Sequence, residues 1–454
     1  MVLAVALILL VIGSLIFHFA SPWWFTEIAS NWQTIDDTVL ITFCVTGIVF
    51  VAVNLFMANA IIRYRHRKDR RARYEPENTK LEIWLTVVTA VGVAAMLAPG
   101  LVVWAKFVKP PTDANIVEAV GKQWHWSFRF PGADGQLGHS DSRHVSEENP
   151  FGLDVDDPFG RDDILVESNR LHLPLGSPVK MLLRSQDVLH DFAVPQFRVK
   201  MDLVPGLVSY LWFEPTRIGE FEILCEELCG IAHHTMRGKV IVDEEADFNT
   251  WLAEQPTFAD TRAVLPGDPT VGQALYVVCA ACHGAEGQGN VAFNAPKQTG
   301  LPDWYIRRQL RYYQQGVRGT HEDDVYGRQM KPMAGTLVNE AAMNNVIAYI
   351  ASLPDRSAPA TVDGDIEHGA KLYRTCAVCH GRDGRGIWMQ NAPPLAGMND
   401  WYLVNQIKNY QAGIRGMHAG DKFGQQMALM AATLHNDAAI NDIVAYINTL
   451  PAVQ

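Results

Sequence analysis

Positive charge is in deficit: 38 Lys and Arg stand against 49 Asp and Glu, a formal net charge of −11. That balance excludes the basic footprint of a nucleic-acid binder and allows a basic protein partner. Cysteine is also sparse, at seven in 454 residues. Six of the seven fall in close pairs, Cys225/Cys229, Cys279/Cys282 and Cys376/Cys379, each followed by a histidine. Such pairs read as metal or haem sites before they read as a disulfide framework. Cys44 stands alone inside an apolar run and reads as a small buried hydrophobe. At this length two to four domains are expected.

Charge is missing altogether from two long apolar runs, 38–62 and 83–105, and a third apolar run covers 2–20. A bilayer takes about 20 apolar residues to cross, so three transmembrane helices are expected, at about 2–20, 38–62 and 83–105. Between the second and third, positions 63–80 hold eight Lys or Arg, whereas 21–37 hold none. The positive-inside rule places 63–80 in the cytoplasm, and 21–37 with everything after Lys106 outside. A cleaved signal peptide would give the first run the same topology. It lacks a basic start, and "HFASPWW" is a poor cleavage site, so a retained helix is the reading.

Downstream, 116–243 alternates short β-branched and apolar runs with Pro, Gly and Asp turns, the pattern of a small β-sandwich or barrel. The polar stretch 131–163 interrupts it and reads as a surface excursion. Its acidic cluster lacks the spacing of an EF-hand calcium loop. Residues 256–268 read as linker. Beyond them runs a gapless repeat with a period of 97 residues. Cys279 maps to Cys376, His283 to His380, "GVRG" at 316–319 to "GIRG" at 413–416, and Met330 to Met427. Two copies of this length make a duplicated helical domain, not a solenoid.

"CAACH" (279–283) and "CAVCH" (376–380) match the attachment pattern of haem c. Two thiols one helical turn apart can add to the two vinyl groups of one porphyrin, and the adjacent His283 or His380 is thereby aimed at the iron. A thioredoxin-like redox pair or half a zinc site is the alternative for one such motif, and the shared layout of two copies argues against it. The other axial donor is read as Met, with two choices in register: Met330 or Met333, and Met427 or Met430. These tandem units resemble c-type cytochromes of the cytochrome c4 sort. That resemblance implies ligation by Met330 and Met427, seven residues before Leu337 and Leu434, and a shaping role for Pro296 and Pro393 beside each proximal His. His321 and His418 also repeat, beside "RG" turns.

In "CEELCGIAHHTM" two thiols, an imidazole and a thioether lie within a dozen residues, with His190 upstream in "SQDVLH". Soft donors of this kind suit copper; zinc and a disulfide are the competing readings. The pattern Cys225, Glu227, Cys229, Gly230, His233, Met236 resembles the C-x-E-x-C-G-x-x-H-x-x-M motif of cytochrome c oxidase subunit II. The resemblance implies a cupredoxin-like domain with a dinuclear copper centre (CuA). Its thiolate bridges would be Cys225 and Cys229, and its other ligands His190, His233, Met236 and the Glu227 carbonyl. It also implies that Trp124, in "GKQWHWSFRF", passes electrons in. Glu82, in "ENTKLEIWLTV", would open a proton path into the partner, and Glu227 would face a magnesium shared with subunit I.

The expected architecture is therefore a multidomain membrane protein. Its parts are a transmembrane anchor (1–110), a cupredoxin-like CuA domain (113–248), a linker (249–268), a first all-α cytochrome c domain (269–354), a linker (355–363) and a second cytochrome c domain (364–454). The expected function is electron input to a proton-translocating haem-copper oxidase in the cell inner membrane, with the C-terminal portion periplasmic. Two covalently bound haem c groups and the copper centre would relay electrons from a periplasmic cytochrome c or similar donor to subunit I, with subunit III as a further partner. A copper-containing subunit of a nitric oxide reductase, or a free-standing membrane cytochrome, is the alternative. No multi-spanning His-rich core is present in the chain, so oxygen reduction belongs to the partner.

Overall fold

The computed structural model describes residues 1–21, 25–69, 71, 76–146, 149–263 and 266–451. Positions 70 and 72–75 of the basic loop, and 22–24 of the "HFASPWW" stretch, lie outside them. Three long apolar helices come first: α1 (Val2–Ala20), α2 (Gln33–Arg63) and α3 (Thr79–Phe107). Each is apolar all round and has few buried side chains, as a lipid-facing helix should. The second and third run past their uncharged stretches because backbone pairing continues into polar ends. Asn78, for example, caps α3 by accepting from the Leu81 N–H at 3.1 Å.

Among the described residues, ten strands follow in two five-stranded sheets packed face to face. One sheet has the order β3 (Ile164–Val166), β2 (His125–Phe130), β1 (Asn115–Lys122), β5 (Val179–Ser185), β8 (Val208–Phe213). The other has the order β4 (Arg170–Pro174), β10 (Arg237–Asp243), β9 (Gly219–Leu224), β6 (His190–Val194), β7 (Val199–Leu203). β1–β5 and β4–β10 pair in parallel. Strict alternation in β5 sends Val179, Met181 and Leu183 inward, so its register is set by the core face. Trp126, Phe128, Phe192, Phe197 and Phe213 fill the space between the sheets.

The β domain is fastened to the helices at one end. Trp32, before α2, donates from Nε1 to the Trp212 carbonyl (2.9 Å), and Trp212 donates to the Lys106 carbonyl at the end of α3 (3.0 Å). Arg198 pairs with Asp36 at 2.7 Å. The basic loop joins the opposite ends of α2 and α3.

Two stretches pack more tightly than their composition implies. Within the polar excursion, Phe151 and Leu153 are buried with Val120, Leu165 and Phe258. Asp163 is fully buried against Arg129 (2.7 Å), which also bonds Glu118 at 2.9 Å. Gly and Asp dominate the segment, but its few apolar residues have a core to join. The first linker likewise folds onto the sandwich. It carries α4 (Glu245–Ala253), whose Trp251 stacks on His172 at 4.3 Å, and α5 (Phe258–Arg262). The β domain thus reaches beyond residue 248.

The helical units repeat each other. The first has α6 (Pro269–His283), α7 (Asp303–Gln314), α8 (Val325–Gly335) and α9 (Glu340–Ser352). The second has α10 (Ile366–His380), α11 (Asp400–Gln411), α12 (Lys422–Ala431) and α13 (Asp437–Ile447). In each, the first and last helices cross closely at a glycine. A Cβ on Gly272 would lie 1.9 Å from the Asn345 carbonyl oxygen, and one on Gly369 2.0 Å from that of Asp442. No larger residue fits there.

Candidate metal and haem sites

His190 opens β6, Cys225 follows β9, and Met236 precedes β10, so three strand ends of one sheet meet at a corner. The loop between Cys225 and Met236 folds back and delivers Cys229 and His233. The Cys225 and Cys229 sulfurs lie 3.7 Å apart. His190 Nδ1 is 3.9 Å from the Cys225 sulfur, and His233 Nδ1 is 3.4 Å from that of Cys229. The Met236 sulfur lies 3.9 Å from that of Cys229, and the Glu227 carbonyl oxygen lies 3.3 Å from the Cys225 sulfur. Every donor named for copper from the sequence converges here, and the cysteines are all free thiols.

The chemistry of this donor set fits a soft cation. The Cys229 thiol hydrogen-bonds Cys225 and lowers its pKa to about 3, with His190 assisting and burial opposing. That same contact, with burial, drives Cys229 upward. The two sulfurs differ in acidity through their mutual contact, and a metal bound here would displace the thiol protons. Burial disfavours a charged His190, but its bonds to Asp187 and Cys225 outweigh this and raise its pKa. His190 Nε2 meets Asp187 at 2.8 Å, which turns Nδ1 toward the sulfurs.

Asp187 is a residue that sequence reasoning passed over, and so is Gln123. Asp187 also accepts from the Gln123 N–H at 2.7 Å, linking the copper-type ligands to the β1–β2 turn. From that turn the Gln123 side chain and Trp124 Nε1 donate to the Cys229 carbonyl, at 2.7 and 3.1 Å. Gly230 has φ +125° and lies under Trp124; a Cβ there would come within 3.0 Å of the ring. Trp124 is only 2% exposed. Position 234, the second histidine of the pair, is at the surface.

In the helical units Cys279, Cys282 and His283 end α6, and Cys376, Cys379 and His380 end α10. His283 Nδ1 donates to the Pro296 carbonyl (2.7 Å) and His380 Nδ1 to that of Pro393 (2.8 Å), which leaves each Nε2 for an iron. Burial holds both imidazoles below the ordinary histidine pKa, so they stay neutral and able to ligate. Met330 and Met333 line the first pocket, Met427 and Met430 the second, and the cavity is continuous between them and reaches Trp124.

The arginines of the two repeated "G-x-R-G" turns, Arg318 and Arg415, border this cavity. Arg318 is buried and Arg415 half-buried, each with a buried, unpartnered Nε, and half-buried Arg308 has another. Arg318 bonds Gln309 (2.6 Å) and reaches Gln406 (3.4 Å); Arg415 bonds Gln406 (2.7 Å) and reaches Gln309 (3.1 Å). Guanidinium groups whose buried Nε atoms lack acceptors fit a group that carries carboxylates, as haem does. Their repetition at the 97-residue period was the signal available in the sequence. Glu82 is not brought to either site. It lies in the first turn of α3, about 38 Å of helix from the Phe107 end.

Residues 115–244 match the family described as cytochrome c oxidase subunit II, periplasmic domain, and residues 270–354 and 366–451 each match cytochrome c. The alternative cytochrome c oxidase subunit 2 of Bradyrhizobium diazoefficiens is 61% identical over 276 residues, 61% of this chain and 98% of that protein. Cytochrome c oxidase subunit 2 of Cereibacter sphaeroides is 28% identical over 54% of this chain and 82% of its own length. Among solved structures, reduced cytochrome c4 from Pseudomonas stutzeri aligns with 41% of this chain and all of its own at 28% identity, with a TM-score of 0.34. The chain belongs to the cytochrome c oxidase subunit II family, in a form whose cupredoxin-like domain is followed by two cytochrome c domains.

Proposed function

We propose that the chain is the electron-input subunit of a proton-translocating haem-copper oxidase. It relays single electrons from a periplasmic donor, by way of its two cytochrome domains and its copper domain, to the oxygen-reducing subunit I. The observation that carries this reading is the convergence of Cys225, Cys229, His190, His233 and Met236 directly beneath Trp124. A copper centre and two haem c groups, when bound, would supply one-electron carriers.

The chain's own residues would do the rest. Cys225, Cys229, His190, His233, Met236 and the Glu227 carbonyl would hold the copper centre. Asp187 fixes the His190 tautomer, and Trp124, closed against the Cys229 carbonyl, excludes water from the thiolates. Cys279, Cys282, His283 and Met330 would hold one haem, and Cys376, Cys379, His380 and Met427 the other. Glu82, on the cytoplasmic side, would open a proton path into subunit I, and the Glu227 carboxylate would face a shared magnesium. Three spans would anchor the chain beside subunit I, with subunit III in the same complex.

The test is purification from the membrane followed by metal and haem analysis. The expected result is two haem c and two coppers per chain, co-purifying with a larger subunit that carries its own haem and copper. Zinc in place of copper, or a chain that purifies alone, would overturn the reading.

A further inference from the structure

The second cytochrome domain is seated on the copper domain. Gln426 and Gln390 bond the Trp124 carbonyl (2.5 Å) and the Gln123 side chain (3.1 Å). Phe423 meets the His125 ring edge-on at 5.2 Å, and Lys122 lies 4.9 Å over the Trp388 ring. The Trp124 turn is therefore covered by the chain itself.

The repeat gives this face a twin. Trp388, Gln390, Phe423 and Gln426 correspond, 97 residues earlier, to Val291, Phe293, Tyr326 and Gln329 of the first cytochrome domain. The twin is uncovered: Val291 is 66%, Phe293 54% and Tyr326 50% exposed, beside Val325 at 55%. Phe293 and Tyr326 also line the haem cavity, so the open patch lies over a cofactor pocket. The thiols agree, since Cys282 is exposed whereas its equivalent, Cys379, packs against the core of the copper domain. Exposed aromatic and aliphatic side chains clustered around a pocket mark an interaction surface.

We propose that this open face of the first cytochrome domain, centred on Val291, Phe293 and Tyr326, is where the soluble one-electron donor protein docks, and that the donor does not use the Trp124 turn. The occupant follows from the duplicate, in which the same face holds an electron-transfer domain. The two faces differ at their rim: exposed Glu322 and Asp323 stand where the second copy has Ala419 and Gly420. That acidic edge, on a chain of net charge −11, selects a donor whose own rim is basic. One electron leaves the donor and one enters the chain, with no bond made or broken and no proton required. The proposal rests on the oxidase reading above.

The experiment uses the full chain with its haem c and copper spectra verified, and a reduced basic mono-haem c-type cytochrome as probe. Equilibrium binding and hydrogen–deuterium exchange are measured at low ionic strength. Protection is expected at 291–293 and 325–329, with none added at 123–125. The double variant V291E/Y326E is expected to weaken binding at least tenfold. V338E, on the same domain and also exposed but outside the face, leaves it unchanged. New protection at 123–125, full binding by V291E/Y326E, or a second copy of the chain occupying the Phe293 face would overturn the docking proposal. Missing copper or haem c spectra would instead overturn the oxidase reading.

Discussion

Gln426 donates from its side-chain nitrogen to the Trp124 carbonyl at 2.5 Å, across 302 positions of sequence. The contact joins the residue beside a proposed iron ligand, Met427, to the residue lying over the proposed copper ligands. Within one polypeptide the second cytochrome domain and the copper domain meet at the ends that carry their candidate cofactor sites.

Replacing Gln426 with Ala should loosen this seam. One hydrogen bond contributes about 1 kcal/mol, so the opened arrangement should become about fivefold more populated. Faster amide exchange at 123–125, with both haem c spectra unchanged, is the expected result. Unchanged exchange would mean that the Phe423 and Trp388 contacts suffice alone.

Cys225→Ser should abolish the copper spectrum while both haem c signals remain. The Cys225 sulfur lies within 3.9 Å of both the Cys229 sulfur and His190, so no other thiol can replace it. Absorption and paramagnetic resonance on the same sample decide it, and loss of haem c as well would indicate misassembly.

Asp187→Ala tests the support behind His190. Removing the carboxylate that holds the imidazole tautomer should weaken copper binding by about 10–100-fold. Competition with a copper chelator reads this directly, and unchanged retention would show that packing alone orients the ring.

Met427→Leu should lower the potential of one haem only, because a thioether donor favours the reduced state. A spectroscopic redox titration separates the two haems. An unchanged titration would assign ligation to Met430.

Asp400 gives a pH prediction. Burial alone would raise its pKa, but hydrogen bonds from Thr361, Asn448 and Val362 hold it below the ordinary carboxylate value. A depressed folded pKa means stability present above the unfolded value of about 4 and lost as pH falls below it. Asp400→Asn should therefore destabilise the second cytochrome domain by about 1–3 kcal/mol at neutral pH. The difference from the parent should shrink below about pH 4 in thermal unfolding followed at that haem.

The candidate ligand motifs were legible in the sequence because covalent attachment and metal coordination would demand fixed local spacings: Cys279 to His283, Cys376 to His380, Cys225 to Met236. The sandwich and the long helices were legible because burial imposes periods of two, or unbroken apolarity. Asp187 was not, since a carboxylate three residues before a histidine is ordinary until the fold turns Nε2 toward it. Phe151 and Phe258 were hidden by polar neighbours, for a segment's average composition does not reveal one residue that fills a gap. The seam at Gln426 was invisible for a third reason: both copies carry glutamine at that position, and only the placement of the domains distinguishes Gln426 from Gln329.

Trp212 binds the ends of two of the long apolar helices at once, its carbonyl accepting from Trp32 and its indole donating to the Lys106 carbonyl. A carrier on a slack leash would have to search for its acceptor by diffusion and would slow in viscous media. On the proposed reading, joinery would set the altitude of the metal corner above the lipid. Every hop from that corner would then span the same gap, and the step left to diffusion would be the arrival of the donor.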